Sequence, residues 1–244
     1  MTATRRWADR AAIILFAAAY AGLVIGNGLD RLVLERPALA GGVPGLFAEH
    51  ALATAARAAL RRDPAGAGVL AARLVARAPI DPQSTALLGD ARLATGDGAG
   101  ADRAFRIAGA LGWRVPEVQA YLCQQALQQG DYRVAALRFD ALLRQRPEVL
   151  RVPGVLSPFR DDGAAEAAFI DRLAARPPWL GWFTGAIDPM PDAELARRVP
   201  TLLQLRRRKV VLGCALVAGP AKQLRAAGNS RAADALLAAH CPAG

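Results

Sequence analysis

The sequence has little of what metal sites and most catalytic centres are built from. Its 244 residues include only three cysteines and two histidines. Cys123, Cys214 and Cys241 form no C-x-x-C pair, and His50 and His240 stand most of the chain apart, so no metal-ligand spacing exists. Each histidine reads as a solvated or core residue. The G-x-S-x-G, P-loop, H-E-x-x-H and Gly-rich dinucleotide signatures are all absent. Gly96-Asp97-Gly98-Ala99-Gly100 is glycine-rich, but it follows a helical pattern rather than a strand and reads as a loop between paired helices. Asp161-Asp162 has no third ligand nearby and reads as an N-cap cluster. No catalytic residue, metal ligand or cofactor is assigned, and the chain is expected not to be an enzyme.

Lysine is nearly missing as well. Only Lys209 and Lys222 contribute to the 31 basic residues, which outnumber 21 acidic ones for a net charge of +10. Arginine and alanine in this proportion reflect GC-rich coding, so arginine in place of lysine carries little chemical meaning. The charge alone would permit nucleic-acid binding. The arginines are scattered, however, and the export signal described next argues against it, so no nucleic-acid partner is expected. Valine and isoleucine are too sparse and unpatterned for strands. Alanine, leucine and arginine, all strong helix formers, fill segments of about 12–16 residues between Gly and Pro breaks. Short connections between such segments force antiparallel neighbours, and the body reads as all-α.

Ala11 to Gly28 is a run of eighteen residues without charge, preceded by Arg5, Arg6 and Arg10. At 1.5 Å per residue it spans roughly 27 Å, close to a thin bilayer core. The preceding arginines favour a cytoplasmic segment 1–10, a transmembrane helix over 11–29 and a body on the outer side. A cleaved signal peptide, with Ala19-Tyr20-Ala21 as a small-x-small site, and a buried helix of the soluble fold are the alternatives. Residues 30–46, with Gly41-Gly42, Pro37 and Pro44, read as a short tether.

Beyond the tether the chain repeats itself. Leu88-Gly89, Gly96-Asp97, Ala101 and Phe105 recur as Leu122-Cys123, Gly130-Asp131, Ala135 and Phe139, each 34 positions on. A weaker first copy runs through Thr54-Ala55, Ala58, Ala67, Ala71 and Pro79. The pattern resembles the tetratricopeptide repeat, a helical hairpin with small residues where its helices meet, an A-x3-F signature and a closing proline. The early aromatic of that pattern is absent: Thr85 and Gln119 take its place, and Trp113 stands where the middle copy should close on proline. Three copies are expected within 48–149, at about 48–81, 82–115 and 116–149. Gly96 and Gly130 should supply left-handed C-caps, and Asp97 and Asp131 should cap the second helices. Phe105 and Phe139 should fill the wedge between one hairpin and the next.

The resemblance implies an α-solenoid whose partner groove is lined by the first helix of each hairpin. Positions off the core stripe are Glu49, Leu52 and Ala56, then Gln83, Ala86 and Asp90, then Glu117, Ala120, Gln124 and Gln128. This face is neutral to acidic and lacks a basic clamp for a C-terminal carboxylate. A segment carrying polar and basic groups suits it better.

Residues 150–244 decay from the repeat. One helix is expected over Ala164–Ala175, a short one over Asp192–Arg198 and a longer one from about Pro200, with a repeat-like hairpin closing the chain. Cys214 and Cys241 fall at the open end of that hairpin, where fraying beside Pro242 would let them bridge; two reduced cysteines are the alternative. Cys123 reads as a buried small hydrophobe. Trp179, Trp182 and Phe183 either cap the repeats or stack on a sugar ring. Arg206, Arg207, Arg208 and Lys209 form either a solvated helix face or a contact for anionic lipid or polymer.

Together these point to a single-pass protein of a bacterial inner membrane with a periplasmic body. It is expected to be a non-catalytic scaffold that binds protein partners of an envelope assembly. Polysaccharide synthesis and export, secretion and cytochrome maturation all employ proteins of this resemblance. A glycan- or anionic-polymer-binding accessory module is the alternative.

Overall fold

Every regular element in residues 3–241, the part described by this computed structural model, is helical. The first helix, α1 (Ala3–Leu32), is continuous, and its stretch Arg10–Leu32 is long and apolar enough to cross a membrane, with a mean hydropathy of 1.9. Its side chains are uncovered: Ile13, Leu15, Phe16 and Tyr20 all stand open. Pro242, expected to ease fraying at the end of the closing hairpin, lies outside the described residues.

The chain forms two compact units, Met1–Gly112 and Trp113–Gly244. In the first, α1 is followed by a 3-10 turn (Pro37–Gly42) and by α2 (Glu49–Ala59), α3 (Pro64–Arg77), α4 (Pro82–Ala94) and α5 (Gly98–Leu111). Each of α2 to α5 packs against the next. Their starts are fixed by local chemistry. The Asp63 carboxylate accepts from Gly66 N–H at 2.9 Å, Asp81 from Ser84 N–H at 2.8 Å and Asp97 from Gly100 N–H at 2.8 Å. Pro64 and Pro82 occupy first-turn positions, where no N–H is needed. Gly96 turns the chain between α4 and α5 with φ +83°, as the repeat spacing requires.

Small residues let the helices approach. A Cβ on Gly89 would lie 3.0 Å from the Phe105 ring, so Phe105 packs closely across its own hairpin. Residues 30–46 are also more than a tether. Asp30 is buried in the last turn of α1, and Val33 packs with Ala48 and Ala51 in a small core.

The second unit contains α6 (Pro116–Gln128), α7 (Tyr132–Leu143), a 3-10 turn (Pro147–Arg151), α8 (Ser157–Arg160), α9 (Gly163–Ala174), α10 (Leu180–Thr184), α11 (Asp192–Arg207), α12 (Cys214–Ala226) and α13 (Ser230–His240). Gly130, at φ +73°, and Asp131, accepting from Val134 N–H at 3.1 Å, set the α6–α7 turn as expected. Asp162 caps α9 through Ala164 and Ala165 N–H, so the Asp161-Asp162 pair is an N-cap. One core runs from Cys123 to Leu236. The α6–α7 hairpin therefore shares its interior with residues 150–241, and no boundary falls at 149/150. Phe139 does reach out of its hairpin, with ring centroids 5.1 Å from Phe159 and 6.0 Å from Phe169.

The two helices expected over 192–198 and from Pro200 are a single helix, α11. Proline removes one N–H from the helix interior, yet the preceding and following turns are held by buried Leu195, Val199, Leu202 and Leu205. Packing along that face outweighs the break. The closing hairpin, α12 against α13, lies where the echo of the repeat placed it.

Candidate interaction surfaces

In the first unit α2 and α4, the leading helices of successive hairpins, lie side by side and leave a concavity of about 200 Å³. Glu49 and Gln83, two of the groove positions expected from the sequence, line it. So do His50, Arg57, Asp81 and Ser84, with Ala53 and Leu74 below them and Leu34 from beyond α1 at one side. Glu49, Asp81 and Arg57 supply its charged groups, with the Asp81 carboxylate bound to the Gln83 and Ser84 amides that open α4. Leu52 and Asp90 are half-buried. Ala56 and Ala86 are not groove residues: at 0% and 3% exposure they are spent in helix packing. A small residue on a leading helix faces a neighbouring helix more often than the groove, because close approach is what it permits.

In the second unit Glu117, Ala120, Gln124 and Gln128 all lie exposed along α6. The opposite face is occupied by a polar link the spacing did not reveal. Gln119, fully buried, accepts from the Arg138 guanidinium at 3.2 Å, and that guanidinium lies 4.0 Å above the Trp113 ring. The residues that depart from the repeat pattern, Gln119 and Trp113, thus meet around one cation. Burial lowers the Arg138 pKa.

A larger cleft, about 460 Å³, opens between α7 and α9. Val134, Leu137 and Ala168 form its floor, and Asp131, Arg133, Asp171 and Arg172 its rim. Arg208 reaches in from the end of α11 to pair with Asp171. This cleft escaped the sequence reading because it needs α9 laid against α7, a contact outside the repeat period.

The C-terminal clusters divide. Trp179 (2% exposed) and Phe183 (1%) are core residues, out of reach of a glycan. Trp179 stacks at 6.0 Å on Phe169, and its indole N–H donates to Asp140 at 2.7 Å, the buried partner an indole needs. Trp182 alone remains partly open, beneath the Arg151 guanidinium at 5.5 Å. Among the basic residues, Arg208 is committed to Asp171, whereas Arg206, Arg207 and Lys209 are exposed at the end of α11 and make no ion pair among the described residues.

Several titratable groups serve the fold. Cys214 and Cys241 form a disulfide with Cα atoms 4.7 Å apart, and Cys123 is buried, its thiol pushed up to about 12 by burial. His240, fully buried next to that disulfide, donates from Nε2 to Leu202 O at 2.8 Å and accepts from Leu212 N–H at Nδ1. Burial, with a smaller push from Arg206, lowers its pKa despite the bond to Leu202. Arg198, 2% exposed, donates to Glu194, to Phe183 O at 3.1 Å and to Leu150 O at 2.7 Å. Burial lowers the Arg198 pKa, and Glu194 only partly offsets this. Burial would raise Glu194, but the bonds from Arg197 and Arg198 outweigh it and hold Glu194 below the usual carboxylate value.

Comparison of the chain with protein-family models, with curated proteins and with solved structures yields no match in any of the three. Among the described residues no group of three or more His, Cys, Asp or Glu side chains is placed to hold a metal ion.

Proposed function

We propose that this protein is a membrane-anchored, non-catalytic scaffold of a bacterial cell envelope. In this reading α1 spans the inner membrane with its N-terminus inside, and the tetratricopeptide-like hairpins stand on the periplasmic side. The observation that carries it is the cleft between α2 and α4. Successive hairpins bring their leading helices together, and Glu49 and Gln83 reach its rim as the repeat resemblance implies. Its carboxylates suit a partner segment with polar and basic groups. Leu34 and His50 line the same cleft, so a partner seated there lies close to the end of α1. The disulfide supports an oxidising compartment for the second unit. Polysaccharide synthesis and export is the assembly we favour, with secretion and cytochrome maturation as alternatives.

The test is photocrosslinking from Glu49 and Gln83 in the full-length protein in its own membrane, followed by mass spectrometry. An envelope protein captured from both positions, and captured less from Gln83 when Glu49 is replaced by arginine, supports the reading. Capture of none overturns it. The competing reading, an anionic-polymer or glycan module, now rests on Arg206, Arg207, Lys209 and Trp182. It predicts polymer binding that falls when the three cations become alanine, with the cleft crosslinks unaffected.

A further inference from the structure

We propose that residues 34–47 form an apolar collar seated in the acyl–headgroup boundary of the bilayer that α1 enters, so that the first unit lies against the membrane surface rather than on a free tether. This rests on reading α1 as a membrane-spanning helix. The collar carries Leu39 at 39% and Leu46 at 91% exposure, two large apolar side chains that the protein itself does not cover, while Leu34 at its edge also lines the α2–α4 cleft. Their placement relative to α1 names what covers them. The Phe47 ring packs directly on Gly26, where even a Cβ would lie 2.2 Å from it. Gly26 precedes Asp30 by four positions, about 6 Å along a helix axis, and lies within the charge-free run Ala11–Leu29. The chain therefore leaves α1, turns through Pro37–Gly42 and comes back down beside the anchor to a level inside its uncharged stretch. Anything at that level meets lipid if α1 does.

The return is locked in place. Asp30 is 4% exposed; its carboxylate accepts from His50 N–H and Ala51 N–H, each at 2.9 Å, and lies 2.8 Å from His50 Nδ1. These are the first-turn amides of α2, so the last turn of the anchor caps the first helix of the body. Val33, Ala48 and Ala51, with Ala40 and Val43 against them, fill the space under the collar. Exposed Arg31 lies just before it and exposed Arg36 within it, beside exposed Glu35, and both arginine stems are long enough to carry their charge up to lipid phosphates.

Nitroxide labels at single cysteines test the collar in the full chain in phosphatidylethanolamine/phosphatidylglycerol liposomes, with Cys123→Ala as background and the disulfide intact. Leu46→Cys probes the collar, Leu15→Cys the middle of the anchor and Ala65→Cys the body. The readout is collision with oxygen, which concentrates in acyl chains, against a water-soluble nickel chelate. The collar predicts oxygen-dominated contact at 46, shifted from the value at 65 toward that at 15. Nickel contact at 46 equal to that at 65, with 15 still deep in lipid, overturns the collar and leaves the anchor standing. Shielding at 46 from both agents means that protein, a second copy or a partner, covers it, and also overturns the proposal. Nickel contact at 15 overturns the anchor reading and the collar with it.

Discussion

The Cys214–Cys241 bond joins the first residue of α12 to the residue after α13, at the hairpin end where Gly213 N–H also donates to His240 O at 3.1 Å. Its sequence separation of 27 sets the entropy it removes from the unfolded chain. In the loop-closure model a ring of that size stabilises the folded state by about 3.6 kcal/mol at 25 °C. The second unit runs from Trp113 to Gly244, and for a unit of that size the loss corresponds to a fall in Tm of about 13 °C. The assay is thermal unfolding of the full-length protein in detergent, with and without reductant, next to a Cys214→Ser/Cys241→Ser variant. The variant should unfold early in both conditions and show no response to reductant. Thiol counting by alkylation gives an independent check. Native protein should label at no cysteine, because Cys123 is buried with its thiol pushed up to about 12. Denatured, non-reduced protein should label once, and reduced protein three times. Three labels without reductant, or a variant with unchanged Tm, would refute the reasoning and with it the oxidising compartment.

Trp179→Ala should cost about 3–5 kcal/mol, since it empties a core site and leaves Asp140 short of a donor, while Trp182→Ala should cost about 1 kcal/mol or less, its ring being half-open beneath Arg151; equal effects in chemical denaturation would contradict the burial. Arg198→Met should lower stability by about 3–5 kcal/mol, because the Phe183 and Leu150 carbonyls lose their donor and Glu194 its buried partner. A neutral Arg198→Met variant would mean that water replaces the guanidinium. His240 binds its proton less readily folded than unfolded, so stability is full above its ordinary value of 6.5, declines as pH falls below that, and levels off once pH is beneath the lowered folded value. His240→Gln should flatten this slope in denaturant midpoints between pH 7 and pH 5, and an unchanged slope would assign the acid sensitivity to other groups.

What the sequence disclosed was chiefly local. A Gly-Asp pair every 34 positions encodes a left-handed C-cap followed by an N-cap, and both steps of that code are decided within four residues. Hence α4–α5 and α6–α7 fall where the spacing puts them. Asp63 and Asp81 follow the same rule before Pro64 and Pro82. Contacts made across long separations were not legible. Pro200 looked like a boundary because propensity counts the missing N–H and ignores the row of buried side chains from Leu195 to Leu205. Trp179 and Phe183 looked like a surface cluster because aromatic density in sequence says nothing of facing. Phe139, Phe159 and Phe169, up to 44 positions away, are what draw them inside.

The same division runs through the candidate sites. Glu49 and Gln83 were legible because each is an outward position one period apart on a leading helix. Ala56 and Ala86 were misplaced by the same arithmetic, since a helix in a hairpin array has neighbours on more than one side and its smallest residues go to the closest crossings. Asp30 is the most instructive case. Counted as the first charge after an apolar run, it marks the end of an anchor; hydrogen-bonded to two amides of α2, it marks the start of the body. One carboxylate doing both leaves no flexible joint at that point. The distance and tilt of the α2–α4 cleft relative to α1 then follow from a helix cap, and the partner segment proposed above would approach it from beside α1.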